Sequence, residues 1–374
     1  MQQLFLLGKG KLQWREVVAP RIEGPQEALV RPFAVAKCDL DHAMLFNHID
    51  MKLRIGRLLG IVDPDFERHF GGLFSTPMPF GHECVAEVME IGESVRSFQV
   101  GDVVAVPFQI SCGSCPRCLG GHTAVCAGVP PVAVYGFGRH KQYGGAMCDL
   151  LKVPFADGML VPVPVGAGIE HLASLGDNVA DAYRHVAPAL LENPDQSVLI
   201  ASGDARSIAI YSVLIARALG ARHIAFVDSR AEQRRLALKT GADHVAGSYE
   251  GLRENYDLVV DCCASERNLS AAIGRVKPYG TLTSTGWHFR KTRLPLLQMQ
   301  ATGMTFRVGM ANARAGAIGA ARLIEEGRLS LQSATTQLDT WDDAIDAFLA
   351  DSTKTIVHRA RVHPGQAELH VDDV

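Results

Sequence analysis

Four of the chain's nine cysteines fall inside one short stretch, SCGSCPRCLGGHTAVC at 111–126, with the spacing C-x2-C-x2-C-x7-C. Crowded beside glycines, a proline and an arginine, four thiols in one loop call for something that ties them together. The candidates are disulfides, an iron–sulfur cluster or a metal ion. The N-terminus, MQQLFLLGKGKLQWREVV, has an apolar run too short for a secretion signal and no cleavage site. That reads as a cytoplasmic chain, where thiols stay reduced, and the odd cysteine count also speaks against full pairing. Cys112, Cys115, Cys118 and Cys126 are therefore read as the ligands of a closed, structural zinc site. Two-residue gaps let a tight turn aim successive sulfurs at one point, and four thiolates leave no open position.

At 374 residues the chain has the length for two domains. Its net charge of −3 gives no electrostatic case for binding nucleic acid or an anionic membrane surface. No run of 18 apolar residues is present, so no membrane span is expected. Residues 1 to about 160 carry short alternating runs such as ECVAEVMEIG and GDVVAVPF, which predict an irregular β-rich domain. Beyond Gly176 the texture changes. SVLIAS, HIAFVD and DLVVDCCA read as strands, and helical patterns such as SIAIYSVLIARALGA separate them. Continuous apolar strands alternating with helices predict a doubly wound parallel sheet.

With the cysteine loop in the β-rich half and the alternating half after it, the chain resembles the zinc-containing medium-chain dehydrogenase/reductases, the alcohol dehydrogenase-like proteins. The resemblance covers nearly the whole chain. It implies an α/β protein with a GroES-like β-rich catalytic domain, residues 1–177 and 312–374, and a Rossmann dinucleotide-binding domain, residues 178–311. GHECVAEVMEIGESV at 81–95 is similar to the family's GHE segment, which makes His82 a ligand of a catalytic zinc and Glu83 its neighbour. AVAKCDLDHAM matches the segment supplying a cysteine ligand, Cys38, and SLGDNVADAYRHV places Asp177 at the third ligand. From the residues alone, a Cys/His/carboxylate set with a fourth open position suits a zinc that polarises an alcohol or carbonyl oxygen. Asp177 can also be read as a helix cap and Cys38 as a core residue.

A dinucleotide site needs a glycine-rich turn feeding a helix N-terminus. In SVLIASGDARSIAIYS only Gly203 remains of the usual glycines, with Ser207 and Ile208 opening the helix. Asp228 closes the next strand, 25 residues beyond Gly203, where a carboxylate can accept from ribose hydroxyls and repel a 2′-phosphate. That favours NAD over NADP, against which Arg230 counts because guanidinium binds phosphate. The resemblance further places Asp181 beside the nicotinamide and Lys354 near the pyrophosphate, although an exposed lysine without a ligand fits equally.

Three departures stand out. Leu40 occupies the position where the family's proton relay usually begins, which leaves His42 as the nearest group able to carry a proton. Cys38 and His82 lie 44 residues apart, with an inserted stretch between them expected to line or cover the substrate cleft. Asp181 stands where many relatives have threonine. The resemblance implies hydride transfer between a small alcohol and NAD, giving an aldehyde or ketone, in a homodimer or homotetramer. Two alternatives remain: a lyase or cyclase on the same scaffold, or a zinc- and dinucleotide-binding protein without turnover.

Overall fold

The computed structural model describes residues 1–363 apart from positions 48, 165, 167 and 264. Two compact units divide the chain, one of residues 1–180, 312–326 and 335 onward, the other of residues 181–311 and 327–334.

In the first unit β1 (Gln2–Gly8), β2 (Lys11–Glu16) and β3 (Ala28–Ala36) precede three helices, α1 (Asp39–Phe46), α2 (Ile49–Leu58) and α3 (Pro64–Phe70). Then come β4 (Met78–Pro79), β5 (Glu83–Ile91), β6 (Val103–Val106), α4 (Pro116–Leu119), β7 (Leu151–Val153), α5 (Ala156–Met159) and β8 (Val161–Pro162). The inserted stretch is thus helical, in α2 and α3. A long helix α6 (Asn178–Glu192) begins at the end of this segment, and from Asp181 onward it belongs to the second unit.

The second unit holds β9 (Ser197–Ala201), α7 (Arg206–Ala218), β10 (His223–Val227), α8 (Ala231–Thr240), β11 (His244–Ala246), β12 (Tyr256–Asp261), α9 (Glu266–Ile273), β13 (Val276–Ser284), α10 (Leu296–Thr302) and β14 (Thr305–Val308). The first unit resumes with α11 (Ala313–Glu325), β15 (Gln337–Thr340), α12 (Ala344–Leu349) and β16 (Thr355–His358).

Register explains how distant residues meet in the first unit. Its main sheet has the order β15-β16-β3-β5-β6-β8, with β7 beside β3. β3 and β5 run antiparallel, so Ala36 lies opposite Glu83, and β16 places Ile356 opposite Ala36. The end of β3 and the starts of β5 and β16 therefore share one edge region. Cys38 follows the first, His82 precedes the second and Lys354 precedes the third. Gly176 brings in the remaining piece: a Cβ there would lie 2.5 Å from the Val106 carbonyl oxygen, so only glycine lets the chain before Asp177 approach β6 this closely.

The second unit is a six-stranded parallel sheet of order β11-β10-β9-β12-β13-β14, which is the 3-2-1-4-5-6 order of a Rossmann fold. β9, β10 and β12 are almost wholly buried, consistent with helices covering both faces. Asp261, at the end of β12, is fully buried among them. Burial pushes its carboxyl up to about 6, although the Ser284 hydroxyl at 2.8 Å and the Cys263 amide at 3.2 Å donate to it. A carboxyl raised in the fold contributes stability that is complete below its unfolded pKa of about 4 and lost as pH rises through about 6. Asp261→Asn is expected to raise the unfolding free energy at pH 7.5 by roughly 1–3 kcal/mol and to flatten the urea-unfolding profile between about pH 4 and 6. A variant no more stable than the parent at pH 7.5 contradicts this.

Candidate metal centre and dinucleotide site

α1 begins immediately after Cys38, and its first turn builds one side of the candidate metal centre. The Cys38 amide donates to Asp41 Oδ2 at 3.0 Å, a reciprocal cap that fixes both residues. The other oxygen of Asp41 lies 3.6 Å from His82 Nδ1, and both side chains are buried. On the opposite side of the ring, His82 Nε2 lies 3.3 Å from Asp177 Oδ2. Ligand atoms of Cys38, His82, Glu83 and Asp177 all fall within 4.8 Å of one another, and all four residues are buried.

A thiol and two carboxylates buried this close together are electrostatically costly, even with the Lys354 ammonium 2.8 Å from Glu83. Burial opposes charge on His82, but Asp41 and Asp177 outweigh it and push the imidazole up to about 9. Burial, then the charges of Asp177 and Glu83, push the Cys38 thiol up. A divalent ion replaces such protons directly, and one thiolate, one imidazole and one carboxylate are a donor set suited to zinc. The side chains present therefore fit the ion, and Asp41 adds a negative charge behind His82 at a separation longer than a hydrogen bond.

Glu83 Oε2 accepts from the Ser174 hydroxyl at 2.6 Å and from Lys354 Nζ at 2.8 Å. Lys354 also donates to the Lys37 carbonyl and to Asn178 Oδ1, each at 3.0 Å. This corrects the expectation of a lysine exposed or reaching toward pyrophosphate: only 1% of its side chain is exposed, and buried acceptors hold its ammonium. His42 lies on α1 with Nδ1 3.9 Å from Asp351 Oδ1 and its ring 4.6 Å from that of Phe46. Two phenylalanines flank His82: the ring centroid of Phe137 lies 4.7 Å away and that of Phe108 6.0 Å. Phe74, at the end of the inserted stretch, packs edge-on against Phe137 at 6.2 Å.

Sequence reading assigned no site role to Asp41, Ser174 or Asn178. A capping-box spacing, Cys38-x-x-Asp41, is a signal that could have found the first. The other two act through tertiary contacts and leave no local pattern.

The loop cysteines gather into a second cluster, Cys112, Cys115, Cys118 and Cys126, with ligand sulfurs again within 4.8 Å of one another. All are free thiols. Cys126 Sγ lies 3.4 Å from Cys112 Sγ and 3.9 Å from Cys115 Sγ, too far for disulfides and close enough to share one ion. Backbone amides of Cys112 and Gly128 point at Cys126 Sγ, both at 3.3 Å, and the Ala127 amide at Cys115 Sγ at 3.5 Å. These donors favour thiolates, and the Ala127 amide first among them draws Cys115 down to about 6.

In the second unit, Gly203 sits in the turn between β9 and α7, and a Cβ there would meet Cys263 Sγ at 2.5 Å. Ser207 and Ile208, in the first turn of α7, are buried. Asp228 follows β10 and is gripped by Arg230. Oδ1 accepts from the Arg230 amide at 2.8 Å and Nε at 2.9 Å, and Oδ2 from Nη2 at 2.6 Å. Nη2 also donates to the Gly203 carbonyl at 2.7 Å. Burial alone would raise the Asp228 carboxyl, but these bonds from Arg230 hold it below the usual range. Asp181 is buried with Arg184, His185 and the Thr285 hydroxyl, the last at 2.7 Å, and Arg184 and His185 hold it ionised against its burial.

Two family models match successive parts of the chain, the alcohol dehydrogenase GroES-like domain over residues 24–165 and the zinc-binding dehydrogenase domain over residues 207–326. The chain belongs to the zinc-containing medium-chain dehydrogenase/reductase family. Members of this family are zinc-dependent, alcohol dehydrogenase-like oxidoreductases that use a nicotinamide dinucleotide and small-molecule substrates.

"Probable zinc-binding alcohol dehydrogenase Rv1895" of Mycobacterium tuberculosis is 28% identical over 284 residues, 74% of this chain and 71% of that protein. An L-threonine 3-dehydrogenase of Shewanella loihica is 34% identical over 166 residues, 44% of this chain and 45% of its own. A glutathione-independent formaldehyde dehydrogenase of Pseudomonas aeruginosa is 29% identical over 224 residues, 58% and 51% respectively. The chain thus spans about half the length of these last two relatives. Among solved structures, alcohol dehydrogenase TADH from Thermus sp. ATN1 superimposes with a TM-score of 0.80 at 24% identity, covering 96% of this chain and 99% of that one. A zinc-binding dehydrogenase from Sinorhizobium meliloti, solved with NADP, gives 0.74 at 20% identity over 96% and 99%. At these identities the likeness is one of fold.

Among the described residues, no helix is long and apolar enough to cross a membrane.

Proposed function

We propose that this family member oxidises an alcohol to an aldehyde or ketone, or runs the reverse reduction, with NAD as its preferred dinucleotide. The observation that carries the reading is the buried cluster in which Cys38, His82 and Asp177 converge, backed by Asp41. When bound, zinc supplies a Lewis acid for the substrate oxygen and the nicotinamide supplies the hydride acceptor. The protein's own work is orientation and exclusion of water. The charge of Asp41, 3.6 Å from Nδ1, acts on the ring of His82, while Ser174 and Lys354 hold Glu83 clear of free rotation. Phe108 and Phe137 present apolar faces beside His82, and Phe74 at the end of the insertion backs that wall, so the insertion shapes substrate range. With Leu40 unable to carry a proton, His42 and its neighbour Asp351 offer the route by which the alcohol's proton leaves.

The cofactor preference rests on Asp228, which repels a 2′-phosphate more than Arg230 attracts one while the two remain paired. The test is reduced-nicotinamide absorbance with a panel of alcohols and each dinucleotide. Formation of NADH with at least one alcohol is expected; none with any alcohol points to the lyase, cyclase or non-catalytic alternatives. Asp228→Ser, which frees Arg230 for phosphate, is expected to shift the ratio of kcat/KM for NAD over NADP downward by about 10- to 100-fold. A parent protein that already favours NADP overturns the assignment of Asp228.

A further inference from the structure

We infer that Asn178 is a positioning residue for the metal centre, setting the donor strength of Cys38 and the orientation of Asp177. This rests on the proposed function in one respect, that Cys38 and Asp177 ligate zinc there. Asn178 opens α6 and is 1% exposed. Its amide nitrogen donates to Asp177 Oδ2 at 2.9 Å and to Cys38 Sγ at 3.3 Å. Its carbonyl oxygen accepts from Lys354 Nζ at 3.0 Å.

The chemistry fixes which way the amide points. An ammonium can only donate and an ionised carboxylate can only accept, so oxygen must face Lys354 and nitrogen must face Asp177. The side chain is therefore locked from both ends. One amide touches two members of the cluster, Cys38 and Asp177, which lie 139 positions apart. Adjacent residues reach the same point because Asp177 lies outside the helix, with φ −145° and ψ −91°.

An N–H bond to sulfur favours thiolate and withdraws electron density from it. The amide is itself polarised by the buried ammonium of Lys354, which is anchored on Glu83 and the Lys37 carbonyl. The line Lys354–Asn178–Cys38 thus weakens the sulfur as an electron donor, leaving any bound ion more electrophilic. A second role follows from the bond to Asp177, whose carboxylate is held in one orientation before the ion arrives.

The test uses cobalt(II) in place of zinc in the full-length protein, reading the thiolate-to-cobalt charge-transfer band, together with zinc competition at the labile site. Asn178→Leu, close in size and without polar atoms, is expected to move the band to longer wavelength as the sulfur becomes the stronger donor, and to weaken zinc binding there by about 10- to 100-fold as Asp177 loses its fixed orientation. Asn178→Ser, which keeps one donor, should recover part of both changes. The four-thiolate site and the circular dichroism spectrum should be unaltered, which separates positioning from general damage. If Asn178→Leu does not fold, Asn178→Ser is read alone against the parent. A band and affinity equal to the parent's in the folded variant overturn this inference and leave the proposed function standing. A parent protein that takes up no second cobalt with a thiolate band overturns both.

Discussion

Replacing His82 with alanine is expected to remove one zinc of two per chain and to lower turnover by about 10³-fold or more, while the fold survives. The magnitude follows from the Lewis-acid contribution, several kcal/mol of transition-state stabilisation concentrated on one oxygen. The fold should survive because β3, β5 and β16 are joined by backbone pairing that does not pass through the His82 ring. Mild chelation of the parent protein should mimic the substitution, releasing one zinc together with activity, and added zinc should restore both. Metal analysis, circular dichroism and turnover on the same sample decide the matter. A protein that keeps both metal ions after His82→Ala, or that turns over normally with one, contradicts the assignment of the buried cluster. So does a native chain that carries a single zinc.

The second large effect concerns the other cluster. Cys118→Ser is expected to release the remaining zinc and to unravel the loop from Cys112 to Gly128. No apolar core exists within that loop to replace the ion: α4 is four residues long with none buried, and Leu119 is 75% exposed. Structural zinc sites contribute folding energy outright, on the order of 10 kcal/mol in isolated zinc peptides. Here the neighbouring sheet retains part of that, so a loss of several kcal/mol is expected, lowering the thermal midpoint by about 10 °C or more. Limited proteolysis should cut within 112–128 in the variant and spare this stretch in the parent. Disulfides between any of the four cysteines in the native protein, or an unchanged zinc content in Cys118→Ser, would refute the site.

The two clusters differ in how far each could be read without a structure. The thiolate cluster is local: four ligands within fifteen positions, so spacing alone restricts which turns can close it. The strands of the second unit were equally legible, because a strand buried on both faces is a continuous apolar run. Their order in the sheet is then restricted by short, right-handed crossovers.

The buried cluster was a different problem. Cys38, His82 and Asp177 span 139 positions, and a helical insertion lies between the first two. Their residue types suit zinc, but which cysteine, histidine and carboxylate belong together was suggested by resemblance to a family. The antiparallel register of β3 on β5 brings Cys38 and His82 to one sheet edge, and the close approach of Gly176 to β6 brings Asp177 there. Lys354 shows the limit most plainly. The resemblance sets this lysine near the pyrophosphate and a lone lysine reads as a solvated cation, whereas the fold surrounds it with Glu83, Asn178 and a backbone carbonyl. Arg230 is similar: its place two residues after Asp228 was visible, but the two-pronged grip on that carboxylate and the reach to Gly203 were not.

From sequence alone came the two-part α/β architecture, the thiolate loop and the family, because each is written in local spacing or in the period of apolar residues. Tertiary structure alone decided which groups stand behind the candidate metal ligands and how the charges around them balance. Those depend on side chains brought together from strands and helices far apart in the chain, and the energy of a buried charge is set by its neighbours in space.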